Sequence, residues 1–122
     1  MPTASDELRR LLGEFNKQND ADLSIVLTRT GTAIAHEGSG EINVDTFASL
    51  AATLMNAAEV MYAGLGRPAP SRILVESEKA VLVASGLGMR AMFVAVGGNR
   101  EKILRAMDDV TAGIRSVLAA KA

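Results

Sequence analysis

The sequence predicts one mixed α/β domain whose elements run helix, two strands, helix, three strands, helix. Three observations carry that reading. Apolar residues recur at steps of three and four in three stretches, near the start, in the middle and at the end. Five shorter runs rich in Val, Ile and Leu lie between them, joined by polar or Gly-containing turns. The 122 residues fit a single domain, 1–122, and leave no room for two. Hydrophobic residues make up 48% of the chain but aromatic ones only 3%, so the core has to be built from Ala, Val, Leu, Ile and Met.

The first helix is expected over 5–19. Leu8, Leu11, Leu12 and Phe15 form its apolar stripe, Ser5 is its expected N-cap, and Asp6 and Glu7 suit the positive end of the helix dipole. Two strands follow at 23–29 and 32–36, hinged at Thr30-Gly31, with Ile25, Val26, Leu27 and Ile34 as strand formers. The run Gly38-Ser39-Gly40 breaks the pattern. Asn43 or Asp45 then caps a long second helix that reaches about Leu65 and is stopped by Gly64, Gly66, Pro68 and Pro70. Strands are expected at 71–76, 80–85 and 89–96, turning at Glu78-Lys79 and at Gly86-Leu87-Gly88. The last of them is apolar throughout, which places it centrally with both faces covered. Asn99 caps a final helix whose stripe is Ile103, Met107, Val110, Ile114 and Val117.

Composition excludes several classes of function. Thirteen basic and 14 acidic residues leave a formal charge of −1, with no block of like charge, so neither nucleic acid nor an anionic membrane is an expected partner. Without cysteine there is no disulfide and no thiolate metal site. Residues 1–10 are charged and lack the apolar centre of a signal peptide, and the longest apolar run, 91–96, is far too short to span a bilayer. The expectation is a soluble cytoplasmic protein with no membrane insertion.

Residues with chemical potential are few and scattered. Gly86-Leu87-Gly88 and Gly97-Gly98-Asn99 present backbone amides, but no Lys-Ser/Thr pair follows either, so neither forms a nucleotide phosphate loop. His36 is the one histidine; a metal site or a general base needs partners, and adjacent Glu37 points to the opposite face of a strand. No serine lies in a Gly-x-Ser-x-Gly elbow. Asp108-Asp109, Glu76 and Glu78 read as solvated charges, and Arg67, Arg72 and Arg90 as solubility residues near element ends, although an arginine supplied in trans can assist phosphoryl transfer. The expected protein has no catalytic residues, no metal and no cofactor; it is not an enzyme.

The second helix is the most informative segment. Phe47, Leu50, Leu54, Ala58, Met61 and Leu65 make one apolar stripe, and Ala48, Ala51, Ala52, Met55 and Tyr62 make a second, with Glu59 the sole charge between Asp45 and Arg67. A helix apolar on more than one side is usually covered on more than one side. The other helices already supply stripes for the sheet. The small-residue face is therefore expected to pack against a symmetry mate.

These features together resemble the roadblock family, also called the dynein light-chain roadblock domain. The resemblance rests on Leu8-Arg9-Arg10-Leu11-Leu12, the strand pair LSIVLTRTGTAIAHEG, the Ala-rich helix FASLAATLMNAAEVMYAGLG, the strand SRILVES and the strand MRAMFVAVGGN before the last helix. It implies a profilin-like α+β fold, with a five-stranded antiparallel sheet flanked by helices. It also implies homodimers formed through helix two and the adjoining third strand as one continuous sheet, so that Leu50, Leu54, Met55, Ala58, Met61, Tyr62, Ile73 and Val75 are the expected interface. Bacterial and archaeal roadblock proteins are regulators or partners of small Ras-like GTPases, so the resemblance implies such a GTPase as partner, to be regulated or scaffolded. The alternatives are a structural adaptor in a motor or signalling assembly without effect on GTP turnover, and a small-ligand sensor. The chain departs from the family at Gly98-Asn99-Arg100-Glu101-Lys102, where members often carry an apolar segment ending in Leu-Gly.

Overall fold

The computed structural model describes residues 2–38 and 40–120. Helix α1 spans Ala4–Asn19, one residue earlier than the periodicity suggests, because Thr3 and not Ser5 is the cap. The Asp6 amide donates to the Thr3 hydroxyl and the Thr3 amide donates to the Asp6 carboxylate, each at 3.1 Å, closing a reciprocal capping box. Those bonds, the Thr3 backbone first, hold the Asp6 carboxyl below its usual value. The helix ends at Asp20, whose left-handed conformation (φ 54°) turns the chain into the sheet.

Strands β1 (Ala21–Thr28) and β2 (Ala33–Gly38) pair antiparallel across the Thr30-Gly31 turn. Gly31 is required there twice over. Its φ is +97°, and a β-carbon on it would stand 3.0 Å from the Ser49 α-carbon, so glycine lets the turn lie against the next helix. That helix, α2, spans Val44–Gly64; of its two candidate caps Asn43 serves, its side chain accepting the Thr46 amide at 3.0 Å. Strands β3 (Arg72–Glu76), β4 (Val81–Gly86) and β5 (Ala91–Gly97) follow, and α3 (Arg100–Ala120) closes the fold, with Asn99 accepting the Lys102 amide at 3.1 Å.

The five strands form one antiparallel sheet in the order β2-β1-β5-β4-β3. As its unbroken apolar sequence implies, β5 is central and feeds both cores. Phe93 and Ala95 face α1 and α3, while Met92 and Val94 face α2. The first core packs Leu8, Leu12 and Phe15 of α1 and Ile103, Met107 and Ile114 of α3 against Val26, Val83 and Phe93. Phe15 meets Phe93 edge to face with ring centroids 5.5 Å apart. The second core seats α2 on Leu23, Ile25, Leu27, Met92 and Val94. Two helices therefore cover one face of the sheet and a single helix the other.

Candidate functional site

The seat of α2 reverses the expected use of its two stripes. Ala48, Ala51, Ala52 and Met55 are the residues buried against the sheet. The small-residue face is thus the inner face of the protomer, not an outer face free for a mate. Met55 is fully buried in the protomer's own core and has no surface to give to an interface, which removes it from the expected set. The physical reason is complementarity of volume. The sheet under α2 is already bulky with Leu, Ile, Val and Met, and dense packing then calls for small residues opposite.

The larger stripe is what remains outside. Leu50 is 64% exposed, Met61 69% and Leu65 71%; Tyr62 and Val75 are also exposed, while Leu54, Ala58 and Ile73 are half-buried. Two further apolar residues are exposed and were not singled out from sequence: Leu74 on β3, whose side chain lies on the α3 face of the sheet, away from the α2 flank, and Val60, 72% exposed on α2. An apolar groove of about 230 Å³ runs along this side, lined by Phe47, Leu50, Ala51, Leu54 and Leu82. Beside it lies β3, which pairs with β4 on one side only and ends the sheet. Side by side, then, stand an apolar helix flank and a strand edge. Contiguous exposed apolar surface of this kind is unusual on a monomeric domain and marks sites of association.

Charged residues frame the surface. The Arg29 guanidinium donates from Nη1 to both carboxylate oxygens of Glu59 at 3.1 Å, from Nε to the Ala91 carbonyl at 3.2 Å and from Nη2 to the Gly88 carbonyl at 3.0 Å. One side chain thereby ties the end of β1 to α2 and to the β4–β5 turn. Its role was hidden in the sequence, where the signal was the lone charge of Glu59 within an apolar helix. Arg72 pairs with Asp108 at 3.2 Å and Glu76 with Arg100 at 3.2 Å, so β3 is linked to α3 at both ends. Asp108 and Glu76 are exposed, as read from sequence, and each also has a basic partner. Arg67 and Arg90 form no ion pair among the described residues. His36 lies exposed in the middle of β2 opposite Ile25, and Glu37 reaches Arg9 at 3.4 Å. Among the described residues no group of three or more His, Asp or Glu side chains stands close enough to share a metal ion. No helix among them is long and apolar enough to cross a membrane.

Sheet, helices and exposed flank define a three-layer α+β domain whose distinctive feature is an outward apolar surface beside an open sheet edge. The chain belongs to the Roadblock/LC7 domain family, whose model matches residues 7–96. Similar solved structures include the gliding protein MglB from Thermus thermophilus, with 19% identity and a TM-score of 0.86 over 100% of this chain and 95% of that one. Myxococcus xanthus MglB aligns with 17% identity and a TM-score of 0.86 over 93% and 89% of the two chains. Acanthamoeba castellanii profilin IA is more distant, with 12% identity and a TM-score of 0.64 over 93% and 98%. At these identities the likeness is one of fold. No curated protein matches by sequence.

Proposed function

We propose that this chain is a homodimeric regulator or scaffold of a small Ras-like GTPase, acting by binding and not by catalysis of its own. The observation that carries the reading is the exposed flank of α2 beside the open edge of β3. Leu50, Met61 and Leu65 are each more than 60% exposed on one helix side, and a second copy related by a two-fold axis is the simplest cover for a self-complementary patch. Leu54, Ala58, Tyr62, Ile73 and Val75 border the same patch and complete the proposed interface. Membership of the roadblock family supplies the GTPase as partner, because regulation of Ras-like GTPases is what the resemblance implies for bacterial and archaeal members. The fold it shares with MglB proteins supports the same choice.

The test has two parts. Sedimentation equilibrium on the purified protein should give a dimer at micromolar concentration. The Ras-like GTPase encoded nearest to this chain should then bind it in a nucleotide-dependent way and change its rate of GTP hydrolysis on addition of the chain. A monomer at micromolar concentration defeats the homodimer. Binding without any change in turnover favours the scaffold over the regulator, and the absence of binding removes the GTPase.

A further inference from the structure

The edge strand carries its own instructions for self-pairing. Two hydrogen bonds set its phase: the Gly86 amide donates to the Ser71 carbonyl at 3.0 Å, and the Ser77 amide donates to the Ala80 carbonyl at 2.9 Å. In an antiparallel ladder the bonded pairs alternate along the strand. Ser71, Ile73, Val75 and Ser77 therefore turn their peptide groups towards β4, while Arg72, Leu74 and Glu76 turn theirs to the open edge. Side chains alternate as well. Arg72 and Glu76 both reach α3, through Asp108 and Arg100, so Arg72, Leu74 and Glu76 share the α3 face, and Ile73 and Val75 share the α2 face.

Resting on the homodimer reading above, and on the continuous sheet through the third strand that the roadblock resemblance implies, we propose that the two-fold axis between the paired β3 strands passes through Leu74 and that Arg72 and Glu76 select that register. An antiparallel match centred on Leu74 uses every outward peptide group of the strand and leaves none of its five residues without a counterpart. It sets Arg72 opposite Glu76 of the other copy, and Glu76 opposite Arg72, so the charge pattern Arg-Ile-Leu-Val-Glu is complementary to its own reverse. Ile73 meets Val75 on the other face, next to the exposed flank of α2. Moving the register by two residues along the strand sets Leu74 against a charge and unpairs the other end. Cross-strand opposite charges stabilise a ladder and like charges weaken it. The existing bridges to Asp108 and Arg100 extend each new pair into a row of four alternating charges, from Asp108 through Arg72 and the opposite Glu76 to the opposite Arg100.

Charge reversal tests the register directly. Arg72→Glu alone puts two Glu-Glu pairs in the homodimer, and Glu76→Arg alone puts two Arg-Arg pairs there; each should raise the dimer dissociation constant about tenfold. Mixed together, the two variants regain both opposite-charge pairs and should form heterodimers with near wild-type affinity, read by native mass spectrometry with one variant isotope-labelled. If each variant dimerises as the wild type does and the mixture is statistical, the register is wrong while the homodimer stands; a monomeric wild type removes the homodimer as well. Should either variant fail to fold, the cysteine-free chain offers a second measure. Leu74→Cys places two thiols on the axis with α-carbons about 5.5 Å apart, within disulfide reach, and should cross-link on mild oxidation. Arg72→Cys should not. Equal cross-linking of the two variants overturns the proposal.

Discussion

At the scale of single residues the most consequential side chain is Arg29. Its guanidinium makes a two-oxygen contact with Glu59 and satisfies two backbone carbonyls besides, and both charged side chains are less than one-third exposed. Removing it leaves a half-buried carboxylate and the Gly88 carbonyl without this donor, while the Ala91 carbonyl keeps the Leu87 amide, and the loss costs more than that of an ordinary surface pair. Arg29→Ala should therefore lower stability by about 2 kcal/mol, measured by urea unfolding at fixed protein concentration. Arg29→Lys should recover less than half of that loss, because an ammonium is a point charge and does not span the carboxylate and both carbonyls. A lysine variant as stable as the wild type would show that charge alone matters at this position.

At the scale of elements, much of the fold is legible in the sequence alone. The order of helices and strands, the cap at Asn99 and the central place of β5 follow from local patterns, whereas the pattern left Asn43 and Asp45 open for α2 and put the cap of α1 at Ser5, where Thr3 serves. What local pattern does not carry is the choice between two apolar stripes on one helix. Periodicity reports that α2 has two such faces but not which of them meets the sheet; that depends on the volume already supplied by Leu23, Ile25 and Leu27, contributed from elsewhere in the chain. The candidate surface was accordingly half legible. Leu50, Met61, Tyr62 and Val75 are exposed as an interface requires, whereas Met55 belongs inside. The same distinction separates two methionines on α2. Met55→Ala empties a fully enclosed site and should destabilise the protomer by about 3 kcal/mol. Met61→Ala should change protomer stability by less than about 0.5 kcal/mol yet weaken self-association. Urea unfolding of dilute protein and sedimentation of concentrated protein read the two effects separately; a Met61→Ala protein that associates like the wild type would exclude that part of the helix from the interface.

For the whole molecule, the uneven cladding of the sheet matters most. Two helices shield one face and one helix the other, so the β3 side of the α2 layer is thinly covered in a single copy. If a second copy completes that layer, folding and association become linked equilibria, and stability depends on how much protein is present. The thermal midpoint should then rise steadily as concentration is raised about 100-fold from a low-micromolar starting point, as followed by circular dichroism. A midpoint independent of concentration over that range would mean that the protomer holds its shape unaided.

The alanine seat beneath α2 has a consequence for how such a surface is tuned. Ala48, Ala51 and Ala52 act as a thin shim between helix and sheet. Thickening that shim by even a few methyl groups would lift and roll the helix as a rigid rod, re-aiming Leu50, Met61 and Leu65 together while leaving each of them chemically unchanged. The aim of the exposed stripe is thus set in part by residues enclosed within the protomer.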